Sequence, residues 1–279
     1  MAAQQANKTL LGNSFWEFKG KFDFIDEWFL MRWPGPVVAL VAYYLLFVLV
    51  LGPRFMKNRP AYKLNGILVV YNIAQVCISF HIFFMGFKHL WKYGLINSTC
   101  LLTNEENKIM LAAGIYTYFW AKVTEFLDTI FFVLRKKQDQ VSFLHVYHHA
   151  LMMFATWMTL KYDPSDSCVF LGTINSFIHI MMYGYYCLSA IPKIRKYLWW
   201  KKYITTLQVV QFVCIIIQII ISNNVSECPP SYLLLSTIIT NGVFFIFLFT
   251  KFYNKAYTRT IKSSRVEKTE EKLKCEKLQ

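Results

Sequence analysis

Apolar residues run along this chain in stretches too long for one face of a soluble helix, and they return seven times, over residues 34–52, 67–87, 109–134, 141–160, 168–191, 203–222 and 232–252. A hydrocarbon core about 30 Å thick is crossed by about 20 mostly apolar residues at about 1.5 Å each, so each stretch predicts a transmembrane helix. Helix punctuation agrees: Pro34 and Pro36 open the first stretch, Gly52-Pro53 closes it and Ile191-Pro192 ends the fifth. Short connections predict one all-α, polytopic domain over 34–252, between a lumenal tail at 1–33 and a charged cytosolic tail at 253–279. Within the first tail, residues 15–33 alternate aromatics with Lys, Asp and Glu, the pattern of a segment lying on a membrane surface. No cleavable signal is expected before the first apolar run, so translocation would depend on the first spanning helix.

Composition supports lipid as the solvent. Hydrophobic residues make up 56%, aromatic residues 18% and charged residues 16%, which excludes an ordinary soluble domain. The net charge of +14 suggests nucleic acid at first sight, but the basic residues sit in short clusters between apolar runs, as in proteins oriented by the positive-inside rule. Most Lys and Arg fall after the first, third, fifth and seventh stretches, so that side is predicted to be cytosolic, with the N-terminus lumenal. All three Asn-x-Ser/Thr sequons, at Asn7, Asn97 and Asn224, then lie on the lumenal side as glycosylation candidates. Cys100 and Cys228 share that oxidising side and are expected to form a disulfide, two free thiols being the alternative. Cys77, Cys187 and Cys214 read as small packing residues.

Several polar groups interrupt the apolar stretches. Lys122, Glu125 and Asp128 lie in the third, where a charge near mid-membrane costs about 2.5–3.5 kcal/mol, so they need partners or a polar ligand. An interhelical ion pair would also explain them. In the fourth stretch His145, His148 and His149 have the i, i+3, i+4 spacing that puts three imidazoles on one helix face. The fifth continues with Asn175, His179, Tyr183 and Tyr186, and the sixth with Thr205, Gln208 and Gln211. Taken alone, those stripes read as polar glue between helices. Depth argues for a site instead. Asp128, His145, Tyr183 and Gln208 lie about 6–10 Å from the cytosolic helix ends, and Glu125, His148, His149, Gln211, His179 and Lys122 about 10–18 Å. Four helices thus place polar groups in one layer.

These motifs, Lys122-x-x-Glu125-x-x-Asp128-Thr129, His145-Val-Tyr-His148-His149, Asn175-x3-His179-x2-Met182-Tyr183-x-Tyr185-Tyr186 and Thr205-x2-Gln208-x2-Gln211, resemble those of the very-long-chain fatty acid elongases. That family comprises the 3-ketoacyl-CoA synthases of the endoplasmic reticulum membrane, and Val146 resembles its subgroup for polyunsaturated or very long acyl chains. The resemblance implies seven transmembrane helices, six of them around a closed-ended acyl tunnel and the first outside. It implies condensation of an acyl-CoA with malonyl-CoA to a 3-ketoacyl-CoA two carbons longer, with no cofactor beyond the substrates. His148 is the expected nucleophile, with His145, His149 and Asp128 setting its tautomer and orientation, and His179 binding the malonyl carbonyl or enolate. Asn175, Gln208 and Gln211 would donate to developing oxyanions, Lys122 and Glu125 would belong to the substrate site, and Tyr183 and Tyr186 would shape it. Cys187 is the rival nucleophile. Arg135, Lys136, Lys137, Lys201, Lys202 and Lys251 are candidates for the CoA phosphates. Expected partners are membrane lipid, the other enzymes of the elongation cycle and a second copy of the chain, and no nucleic acid. The tail end, with only Lys277 placed as in a di-lysine retrieval signal, departs from the family.

Two other enzyme classes use membrane histidines. Di-iron desaturases need more histidine ligands than His145, His148, His149 and His179 supply. A zinc-dependent hydrolase fits better on donor count, since three histidines and a carboxylate make a tetrahedral site. A transporter or receptor with a polar pocket is the reading outside enzymes.

Overall fold

The computed structural model describes residues 18–258, which hold helices and no strand. The elements are α1 (Asp23–Asp26), α2 (Gly35–Leu46), α3 (Gly52–Met56), α4 (Asn65–Tyr93), α5 (Glu105–Thr124), α6 (Phe126–Leu134), α7 (Phe143–Tyr162), α8 (Cys168–Ser189), α9 (Pro192–Arg195), α10 (Lys201–Val225) and α11 (Tyr232–Tyr253). Asn7 and nearly all of the charged tail lie outside the described residues. Five helical segments are long and apolar enough to cross a membrane: Gly35–Met56, Asn65–Tyr93, Cys168–Ser189, Lys201–Val225 and Tyr232–Ala256. The stretches at 109–134 and 141–160 are helical too, but they carry Lys122, Glu125, Asp128 and the clustered histidines and are not among those five.

Gly52-Pro53 does not close the first helix, contrary to the sequence expectation. The rod continues through a π turn, Phe47–Leu51, into α3. Proline has no amide hydrogen and its ring crowds the carbonyl one turn back. The wider π turn, in which the Gly52 N–H bonds the Phe47 carbonyl, lets the chain carry Pro53 without ending. Gly52 also permits close packing on α6, because a Cβ there would stand 2.7 Å from Val133 Cγ1.

The third apolar stretch is two helices rather than one. The Asn104 side chain caps α5 by accepting from the Glu106 and Asn107 amides. The helix tightens at Glu125, where the Asp128 amide bonds the Glu125 carbonyl three residues back at 3.1 Å, and α6 follows.

The segment before α2 packs against α7. Ile25 and Met31 are fully buried, and Trp157 Nε1 on α7 donates to the Leu30 carbonyl at 2.8 Å. Lys161, fully buried at the end of α7, reaches Asp26 Oδ1 at 2.5 Å, the Met31 carbonyl at 2.6 Å and the Arg32 carbonyl at 3.3 Å. All three ammonium hydrogens have acceptors, which offsets burying the charge.

The remaining helices pair both across the chain and with their sequence neighbours. α4 lies along α8 so closely that a Cβ on Gly86 would overlap the Thr173 side chain, and α10 lies along α11. A disulfide joins Cys100 to Cys228 with 5.2 Å between Cα atoms, and the Glu227 amide bonds the Ser98 carbonyl beside it. Asn97 Oδ1 accepts from the Thr99 amide and hydroxyl, and Asn224 is exposed in the last turn of α10.

Candidate active site

Lys122 on α5 is 2% exposed and spends its three donors on Glu125 Oε1 (2.8 Å), Glu125 Oε2 (3.1 Å) and Asn175 Oδ1 (3.0 Å) of α8. Tyr118, one turn before it, donates its hydroxyl to the same Asn175 oxygen at 2.7 Å, and the ammonium lies over the Tyr118 ring. Glu125 also faces two imidazoles: His179 Nδ1 of α8 is 3.1 Å from Oε1, and His149 Nδ1 of α7 is 3.8 Å from Oε2. The turn at Glu125 thus holds one carboxylate between a lysine and two histidines from three helices. That network makes the burial of its charges tolerable.

Around this centre the α7 histidines divide. His145 and His149 stand one turn apart with ring centroids at 4.3 Å. His145 Nε2 is 3.0 Å from the Thr129 hydroxyl of α6, which is itself 2.9 Å from the Tyr44 hydroxyl of α2. His148 takes neither route. Its ring packs edge-on to His149 and Phe245 and lines a cavity, and among the described residues its nitrogens have no hydrogen-bond partner.

The cavity, about 660 Å³, lies among α4, α5, α7, α8, α10 and α11. Along α7 its lining runs from His148 to Tyr162, about 21 Å of helix. Asn175 and Tyr118 share the His148 end, and most of the wall is apolar, including Ile82, Met152, Ala155, Gly172, Phe212 and Ile215. Lys88, His89, Lys92 and Asp163 line it as well, beside the Tyr162 end, so polar groups stand at both ends of a mainly apolar wall.

The expected site residues are therefore not all in one group. Lys122, Glu125, Asn175, His148, His149 and His179 converge. Asp128 stands apart from the imidazoles, its Oδ2 accepting the Tyr183 hydroxyl at 2.6 Å, so Glu125 takes the place beside the histidines expected for Asp128. Tyr186 is on the exposed side of Tyr183, edge-on to its ring. Gln208 Nε2 meets Met182 Sδ at 3.7 Å, and Gln211 is buried with Oε1 unpartnered; neither lines the cavity. Cys187 does not line it either. Arg135, Lys136 and Lys137 follow α6, Lys201 and Lys202 begin α10, and Lys251 is in the last turn of α11; all but half-buried Arg135 are exposed. No three His, Cys, Asp or Glu side chains among the described residues are grouped as a metal site. Sequence reasoning passed over Tyr44, Tyr118 and the role of Thr129. The signal for Thr129 was its place at the end of the lysine-carboxylate motif.

Comparison with known proteins follows the same residues. Residues 29–265 match the ELO: GNS1/SUR4 family. Very long chain fatty acid elongase 4 of Macaca mulatta is 41% identical over 237 residues, covering 84% of this chain and 74% of that protein. Very long chain fatty acid elongase 7 of Drosophila melanogaster is 41% identical over 82% of this chain and 71% of its own. Very long chain fatty acid elongase 5 of Rattus norvegicus is 41% identical over 87% and 81% respectively. With a match across the helical region and this identity over most of each relative, the chain belongs to the ELO family.

Proposed function

We propose that this protein lengthens fatty acyl chains by condensing a long-chain acyl-CoA with malonyl-CoA, through an acyl group held on His148. The observation that carries the reading is His148 itself, an imidazole with no hydrogen-bond partner among the described residues, lining a mainly apolar cavity beside Asn175 and Tyr118. A neutral imidazole nitrogen attacks the thioester carbonyl, the C–S bond breaks, and the other ring nitrogen gives up its proton to the CoA thiolate, which leaves as the thiol; that ring nitrogen regains a proton from solvent when the acyl group departs. Malonyl-CoA then loses carbon dioxide, and the electron pair of the broken C–C bond forms the enolate of acetyl-CoA. The enolate carbon attacks the acyl-imidazole carbonyl and expels the His148 nitrogen, giving a 3-ketoacyl-CoA two carbons longer.

The neighbouring groups suit these charges. Lys122, Asn175 and His179 surround the centre where negative charge develops, and Glu125 holds Lys122 and His179 in place. The acyl chain lies in the cavity beyond His148, away from the start of α7. The seven helical stretches span the endoplasmic reticulum membrane with the N-terminus lumenal. Arg135, Lys136, Lys137, Lys201, Lys202 and Lys251 then fall on the cytosolic side, where CoA phosphates arrive. In this arrangement the disulfide is lumenal.

The zinc hydrolase reading is the less favoured one, because the carboxylate it would use, Glu125, is already ion-paired with Lys122. The direct test supplies purified protein with a long-chain acyl-CoA and malonyl-CoA. Stoichiometric carbon dioxide and 3-ketoacyl-CoA support condensation. Free fatty acid without carbon dioxide would replace it with hydrolysis.

A further inference from the structure

The helix that the family resemblance places outside the tunnel reaches the histidine cluster. Tyr44 of α2 is 3% exposed and stacks on Phe126 with ring centroids at 4.0 Å, and its hydroxyl is 2.9 Å from Thr129 Oγ1. Thr129 is fully buried, and its second neighbour is His145 Nε2 at 3.0 Å. Two hydroxyls and one ring nitrogen therefore form a line from the first helix to the histidine that packs on His149.

We propose that Tyr44 and Thr129 are positioning residues that fix the tautomer and orientation of His145. The donor count gives the relay its direction. If His145 Nε2 carried the proton, it would donate to Thr129, Thr129 would donate to Tyr44, and the buried Tyr44 proton would have no acceptor. In the other direction every hydroxyl hydrogen is used: Tyr44 donates to Thr129 Oγ1, and Thr129 donates to His145 Nε2. His145 then carries its proton on Nδ1. The aromatic stack on Phe126 and the rigid α2 rod hold the relay, so the orientation of His145 is set from outside the ring of helices. His145 in turn supports the His149 ring against which His148 lies.

This inference rests on the proposed condensation only for its kinetic readout, so two measurements are paired. Nitrogen-15 NMR of histidine-labelled protein, with His145 assigned from its loss in His145→Gln, reads the tautomer directly. The wild type shows an Nδ1–H tautomer at His145, and Thr129→Val, which keeps the shape but lacks the hydroxyl, shows it lost or mixed. An Nε2–H tautomer in the wild type, or no change in Thr129→Val, overturns the relay even if the enzyme condenses acyl chains. Kinetically, Tyr44→Phe, which retains the stack on Phe126, and Thr129→Val lower kcat on the order of tenfold with KM for acyl-CoA unchanged, and Thr129→Ser restores it. Full kcat in Tyr44→Phe, or a Thr129→Ser as impaired as Thr129→Val, contradicts a positioning role. A wild type without condensation activity removes the proposed reaction and leaves the tautomer measurement to decide the relay.

Discussion

At the scale of single residues, the site is organised by where each polar atom finds a partner. Lys122 and Glu125 neutralise one another in a buried place, and removing only one of them strands the other. Lys122→Met is expected to cost about 3–5 kcal/mol, and the double variant Lys122→Met with Glu125→Gln less than that single change. Thermal unfolding in detergent checks this, and a double variant worse than the single contradicts the pairing. The same logic separates the histidines. His145 and His179 have fixed partners and His149 packs between its neighbours, whereas His148 lines the cavity with no hydrogen-bond partner among the described residues. Helical spacing identified the face that these imidazoles share, but it did not rank them, because rank depends on Thr129 and Glu125 arriving from other helices. The family resemblance implied Asp128 beside the histidines, where Glu125 stands. The two are separated by three residues at a tightened turn, and which of them meets α7 depends on that turn.

At the scale of elements, a helix lies at each apolar stretch of the sequence, because length and hydropathy are sums over about 20 residues and tolerate local exceptions. The exceptions were not legible. The π turn that carries the first helix through Gly52-Pro53 and the tight turn at Glu125 are adjustments of single hydrogen bonds, which a sum over composition does not register. The segment before α2 was hidden for a similar reason. Its anchor, Lys161, looks in sequence like an ordinary charge at a helix end, and only the fold brings Asp26 and the Met31 carbonyl to it. Lys161→Ala is expected to leave the Met31 carbonyl unpaired and Asp26 with only the Gly20 amide, at a cost of about 1–3 kcal/mol, and to loosen residues 18–31. Limited trypsin digestion should then cut at Lys19 and Lys21 sooner, while Cys100 and Cys228 stay joined. Unchanged cleavage would show that Ile25, Met31 and Trp157 hold the segment without the ion pair.

At the scale of the molecule, a mainly apolar cavity of about 660 Å³ meets a polar cluster built by three helices, and the proposed condensation places the acyl chain in it. Gly172 lines the cavity, and a Cβ there meets nothing within 4 Å. Gly172→Leu is therefore expected to fill space rather than strain α8. Its product profile should shift towards shorter chains, with turnover of short acyl-CoAs retained, and an unaltered profile would place the acyl chain elsewhere. The proposed reaction stands or falls on passage of the acyl group through His148, and mass spectrometry of protein incubated with acyl-CoA in the absence of malonyl-CoA reads this. An acyl adduct on His148 that malonyl-CoA discharges and that His148→Ala lacks is the expected result; no adduct on any histidine, or an adduct on Cys187, would overturn it.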